Sequence, residues 1–177
     1  MTVKEFIILK DATKDDVQAK ISRLQRPLKV KGISVPENLN SLSIGDLFAL
    51  QGARSDIELI EKTCDTILGL KIEEVIKADA TEVFGFVNWV GVELDKINKL
   101  FERIKVPPTK EEKEAGVDEL NFGAFGVLDW YARRMGVCDH EAVAHTPWMR
   151  VYKCMEMDAK QTMYERRLRA VDANQSK

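Results

Sequence analysis

No long apolar run occurs in this sequence. Near its start only four contiguous side chains, residues 6–9, are strongly apolar. That is too few for a signal-peptide core and far short of the roughly 20 residues of a membrane span. Cysteine is scarce: Cys64, Cys138 and Cys154 are widely spaced and odd in number, which suits reduced thiols in a cytosol-like compartment rather than a disulfide framework. Neither sign of charge is in excess. Lys and Arg number 27 against 29 Asp and Glu, for a net charge of −2, so no overall attraction to nucleic acid or to an anionic membrane is expected. The chain also has no P-loop, no GxGxxG turn after a strand, no GxSxG elbow and no HExxH helix, each of which would place a phosphate cradle, nucleophile or metal at a defined spacing. It has no internal repeat and no low-complexity tract.

What is present is apolar periodicity. With 45% hydrophobic residues over 177 positions, the chain can bury a core as one domain, or one domain with an appendage. Residues 3–9 are β-prone and fit a short strand, which a second strand around Leu28, Val30 and Ile33 would pair to make an N-terminal β-ribbon. Between them Val17, Ile21 and Leu24 predict a helix over 14–25, ended by Pro27. Ser43 opens a helix that closes by Gly52; Ser55 opens another that Gly69 stops. A short helix follows over 71–77. From Thr81 the apolar positions Val83, Phe86, Val90, Leu94, Ile97 and Phe101 recur at mostly three and four residues, predicting a helix to about Ile104. Gly85 and Gly91 within it would permit close packing. Pro107 and Pro108 break it, and the charged segment 109–114 reads as a flexible loop. The expected fold is therefore mainly α: a compact multi-helix domain of about seven helices with a short N-terminal β-ribbon. The expected organisation is a strand and helix segment over 1–40, a helical domain over 41–171 and a flexible tail over 172–177.

Residues 121–171 organise this reading. They hold both His, two of the three Trp and two of the three Cys. A helix over about 122–135 stops at Gly136, which accepts the left-handed conformation cheaply. Asp139 stands at an N-cap position before a short helix that ends near His145. Thr146 and Pro147 then supply an N-cap and a first-turn proline for a long helix with Trp148, Tyr152, Met155, Ala159 and Met163 on one face. The result is a long–short–long helical hairpin with aromatic anchors, Trp130 and Trp148, both expected to be largely buried.

Two chemical readings of this hairpin compete with a bland one. Cys138, His140, His145 and Cys154 are its metal-ligand types, but no CxxC or HxxxH pair fixes two of them on one turn. Neither a metal nor a catalytic thiol is expected, and Asp129 is expected to bond Tyr131, Arg133 or a helix end. A helix-turn-helix is suggested by Ala132, Gly136 and Val137 and by a locally basic C-terminal third. Against it, the would-be recognition helix opens with Asp139 and Glu141, which would face phosphates. What remains is a non-enzymatic interaction protein without a cofactor.

The order of elements resembles that of the tail assembly chaperones of long-tailed phages and prophages. The matching parts lie within about residues 40–170. They are the Ser43-Ile-Gly-Asp-Leu-Phe-Ala-Leu50 helix, the Leu68-Gly-Leu70 turn leading to Val75, and the hairpin marked by Trp130, Tyr131, Gly136, His140, Glu141, Pro147 and Trp148. The resemblance implies a helical protein of the host cytoplasm that binds tape-measure or tail-tube protein before assembly and does not remain in the finished virion. It carries over no catalytic residues. The aromatic and methionine side chains of the hairpin, Trp130, Tyr131, Met135, Trp148, Tyr152 and Met155, are the candidates for partner binding, methionine because it adapts to irregular apolar surfaces. Self-association is a further option. The competing readings are a permanent virion or adaptor protein and a helix-turn-helix DNA-binding protein.

Overall fold

The computed structural model describes residues 1–6, 21 and 23–175. It is mainly helical, with one small two-stranded antiparallel sheet among the described residues. The chain groups into two compact units. The first comprises Met1–Leu42 and Asp46–Lys96, the second Ser43–Gly45 and Ile97–Lys177.

In the first unit the N-terminal ribbon exists, but it pairs differently from the expectation. Strands β1 (Lys29–Val30) and β2 (Ile33–Ser34) form a hairpin with Lys29 opposite Ser34 and Val30 opposite Ile33. Lys31 and Gly32 between them both take positive φ, 50° and 84°, the signature of the two-residue turn that matches strand twist. The strand expected over 3–9 is not its partner. Residues 3–6 are helical, and 7–9 lie outside the described residues. The cause is local. The Thr2 hydroxyl accepts the Glu5 amide at 3.2 Å and the Glu5 carboxylate accepts the Thr2 amide at 2.8 Å, a reciprocal capping box that outweighs the β propensity of Val3. Of the helix expected over 14–25, residues 14–20 and 22 lie outside the described residues; Ile21 is helical and the chain has left the helix by Leu24.

Helix α1 spans Ile44–Gln51 and α2 spans Asp56–Leu68. Ser55 caps α2, its hydroxyl accepting the Glu58 amide, and Gly69 ends it at φ 68°. The short α3 (Ile72–Val75) leads to α4 (Ala80–Arg103). Asp79, not Thr81, begins α4. Its carboxylate accepts the amides of Thr81 at 2.9 Å and Glu82 at 3.2 Å, satisfying two of the donors a helix start leaves open. Leu47, Cys64, Val75, Val83, Phe86 and Val90 form much of this unit's core. Gly85 earns its place on α4, since a β-carbon there would sit 2.6 Å from the Gln25 carbonyl oxygen. Asn88 reinforces that crossing by donating to the Leu24 carbonyl at 3.2 Å. Gly91 has no such neighbour among the described residues.

In the second unit the segment expected as a charged loop contains α5 (Lys110–Glu114). Thr109 and Glu112 form its capping box, and Arg166 grips both Glu112 oxygens at 2.9 Å while donating to the Pro107 carbonyl at 2.7 Å. A 3₁₀ turn, Val117–Glu119, follows. Then come α6 (Gly123–Met135), α7 (His140–Ala144) and α8 (Trp148–Gln175), the expected long–short–long order. Gly136 closes α6 at φ 65° and the Asp139 carboxylate caps α7 through the Glu141 amide. Thr146 does not cap α8. Its hydroxyl reaches the Ala142 carbonyl, its own carbonyl accepts the Ile44 amide at 2.8 Å, and the Pro147 carbonyl becomes the first acceptor of α8. Residues 172–175, expected in a flexible tail, continue α8.

Trp148 is the anchor of this unit, 1% exposed. Its ring lies 6.1 Å from Phe101 and 6.2 Å from Tyr152, and Phe101 meets Tyr152 edge-on at 5.4 Å. Trp148→Ala should therefore destabilise the protein by about 3–5 kcal/mol in chemical denaturation. Asp79→Ala should cost about 1 kcal/mol. Partial desolvation raises the Asp79 carboxyl, but the Glu82 and Thr81 amides outweigh it and hold it below the usual aspartate range. Its contribution is thus complete above the unfolded-chain value of about 3.9 and disappears as pH falls through the lower folded value. The stability difference between wild type and Asp79→Ala should shrink over that acid window.

Candidate partner-binding groove

The second unit carries an open apolar groove of about 470 Å³. The start of α6 and the face of α8 that turns toward it make its walls. Phe122, Val127 and Trp130 line it from one side, Met155 and Ala159 from the other, with Val106 at its edge. Local sequence explains the shape. The Asn121 side chain accepts the Gly123 amide at 3.1 Å, turning the chain into α6 with Gly123 at φ 54°. Gly126, one turn on, leaves room for Phe122, whose β-carbon would lie 2.8 Å from any β-carbon added there. Phe122 is thereby folded over the helix start and remains 67% exposed, beside Leu120 and Phe125, which are also exposed. Three large apolar side chains are thus left in water on one short stretch, which makes this face a candidate interaction surface.

Of the charged side chains on α6 and α8, Asp158 lines the groove. Arg134 pairs with Asp158 of α8, and its guanidinium lies 5.9 Å from the Trp130 ring. Asp129 pairs with Arg133 on the next turn. The Arg133 guanidinium, with a smaller part from His140, holds the Asp129 carboxyl below the usual aspartate range. His140 Nε2 stands 3.5 Å from Asp129 Oδ1, with its ring 5.0 Å from Phe125. Asp129 thus has the ordinary helix-surface partner expected of it.

The six side chains proposed from sequence for partner binding separate in the structure. Trp130 and Met155 line the groove. Tyr131, Trp148 and Tyr152 are buried in the core, because α6 and α8 turn those positions inward. Met135 is exposed at the end of α6, away from the groove lining. Trp130, expected to be largely buried, is only half-buried. Leu120, Phe122 and Phe125 were not among the six. Their signal in the sequence is two Phe set beside Gly123 and Gly126, which carry no side chain to pack against them.

The remaining chemistry-bearing residues are dispersed. Among the described residues no three His, Cys, Asp or Glu side chains stand together as a metal site. Helix α7, the recognition helix of a helix-turn-helix reading, has five residues and buries Val143, leaving too short a face to follow a DNA groove. Cys138 is exposed, whereas Cys64 is buried and desolvation pushes its thiol up to about 12. Thiolate is the reactive form, so alkylation at pH 8 followed by mass spectrometry should label Cys138 promptly and leave Cys64 unlabelled until denaturant is added. The chain matches no protein-family model, no curated protein and no solved structure.

Proposed function

We propose that this protein is a non-enzymatic tail assembly chaperone of a phage or prophage, acting in the bacterial host cytoplasm. It holds an apolar, helix-forming segment of a tape-measure or tail-tube protein until assembly. The observation that carries this reading is the groove lined by exposed Leu120 and Phe122, with exposed Phe125 on the same short stretch of chain. Such a surface receives an amphipathic helix, covering apolar faces that would otherwise aggregate. Trp130 offers a rigid aromatic wall and Met155 an adaptable one. The resemblance of the order of elements to that of tail assembly chaperones supplies the class of partner. Among the described residues no helix is long and apolar enough to cross a membrane.

Co-expression with tape-measure and tail-tube proteins tests the proposal. Wild type should co-purify with one of them, and the complex should change little between low and high salt, since its contacts are apolar. Leu120→Asp with Phe122→Asp should weaken it at least about tenfold, because both side chains line the groove and are exposed. Failure to co-purify at any salt, or a complex indifferent to the double substitution, would overturn the reading. Retention on duplex DNA that falls steeply with salt would favour the DNA-binding alternative. Abundance in purified particles would favour a permanent structural part.

A further inference from the structure

Helix α8 has a second apolar face, opposite the one that serves the groove. At 100° per residue, Met155, Ala159, Thr162 and Arg166 share the inward side, where three line the groove and Arg166 holds Glu112. About half a turn away stand Met157, Tyr164, Leu168 and Val171, exposed at 61%, 58%, 45% and 51%. With Gln161 and Gln175 they follow spacings of four and three residues from 157 to 175. That is a heptad seam, with Met157, Tyr164 and Val171 at d and Gln161, Leu168 and Gln175 at a. No globular core needs this pattern on a face turned to water.

The flanks of the seam are sorted by charge. The e positions are Asp158, Glu165 and Asp172, all acidic, and the g positions before the last are Lys153, Lys160 and Arg167, all basic. In a parallel pair of helices each g side chain meets the e side chain of the following heptad on the partner. Lys160 would then face Glu165, and Arg167 would face Asp172, of a second copy. In an antiparallel pair g meets g and e meets e, so like charges would oppose. Several of these side chains already make surface pairs within the chain, Lys153 and Lys160 with Glu156, and Glu165 with Arg169 at 3.7 Å, which are weak enough to exchange, whereas Asp158 is held by Arg134.

We infer that the occupant of this face is a second copy of the same chain, joined through α8 in a parallel, in-register two-stranded coiled coil. Charge complementarity selects the copy and its direction. Gln161 at an a position fixes register, as a buried polar side chain does in such pairs. The seam from Met157 to Val171 is only about 22 Å long at roughly 1.5 Å per residue, so the dimer forms and dissociates with concentration. None of Met157, Gln161, Tyr164, Leu168, Val171 and Gln175 lines the groove, and of the flanking charged positions only Asp158 does, where Arg134 already holds it. The inference therefore stands apart from the identity of the groove's occupant.

Sedimentation equilibrium of the full chain, over a wide concentration range at low salt, tests it. Wild type should show a monomer–dimer equilibrium. Leu168→Glu should raise the dissociation constant at least about thirtyfold by placing carboxylates in the seam. Lys160→Glu with Arg167→Glu should raise it about tenfold by turning attractive flanking pairs repulsive. Adding Glu165→Lys and Asp172→Lys should restore it to within about threefold, since the pairs are then rebuilt with signs exchanged. Unchanged far-UV circular dichroism would establish that each variant is folded. Wild type that stays monomeric at millimolar concentration, or a dimer indifferent to Leu168→Glu, would overturn the interface. Charge reversal without effect, or without rescue, would overturn the parallel arrangement.

Discussion

Burial of Trp148 at the first turn of α8 is the constraint on which the second unit depends. The indole is the largest fully buried side chain among the described residues, and it meets Phe101 and Tyr152 at the distances of favourable aromatic pairs. Its position sets where α8 starts. The preceding backbone is held on its other side by Ile44, whose amide donates to Thr146, and by Gly45, where a β-carbon would lie 3.0 Å from the Ala144 carbonyl oxygen. With its start so fixed, a straight helix has no further rotational freedom. Val151 and Tyr152 follow Trp148 into the core, Met155 and Ala159 reach the groove, and Met157 and Leu168 turn outward.

The two faces of α8 therefore have different physical characters. The inward face meets a groove whose opposite wall is aromatic and whose rim has Phe122 in solvent. It is concave and apolar, suited to a helix of another sequence. The outward face is a narrow apolar seam between an acidic and a basic ridge, suited to another helix like itself. Arg166 keeps the two apart. Its bonds to Glu112 and the Pro107 carbonyl fasten α8 to the capping box of α5, well beyond the buried first turns.

Helix punctuation was legible because it is chemistry within a few residues. Gly69 and Gly136 end helices in the left-handed conformation, and Ser55 and Asp139 cap the helices that follow them. The departures have equally local causes. Thr2 with Glu5, and Thr109 with Glu112, build capping boxes on segments read as strand and loop. Asp79 outcompetes Thr81 as a cap because one carboxylate accepts two amides. Thr146 gave way as a cap when its carbonyl was taken by Ile44, more than a hundred residues earlier in sequence, a contact no local pattern announces.

By itself the sequence determined the mainly helical class, the long–short–long hairpin and the burial of Trp148. These follow from periodicity and from residues whose conformational preferences act over one turn. Only the tertiary structure decided which aromatic side chains are core and which are surface. Tyr131 and Trp130 are neighbours with similar apolar content, yet a 100° step on α6 buries the first and leaves the second on the groove. The heptad of α8 was present in the sequence all along, but it overlaps the inward periodicity of the same helix. Two apolar faces half a turn apart nearly cancel as a one-sided pattern, and only burial along the folded chain separates them.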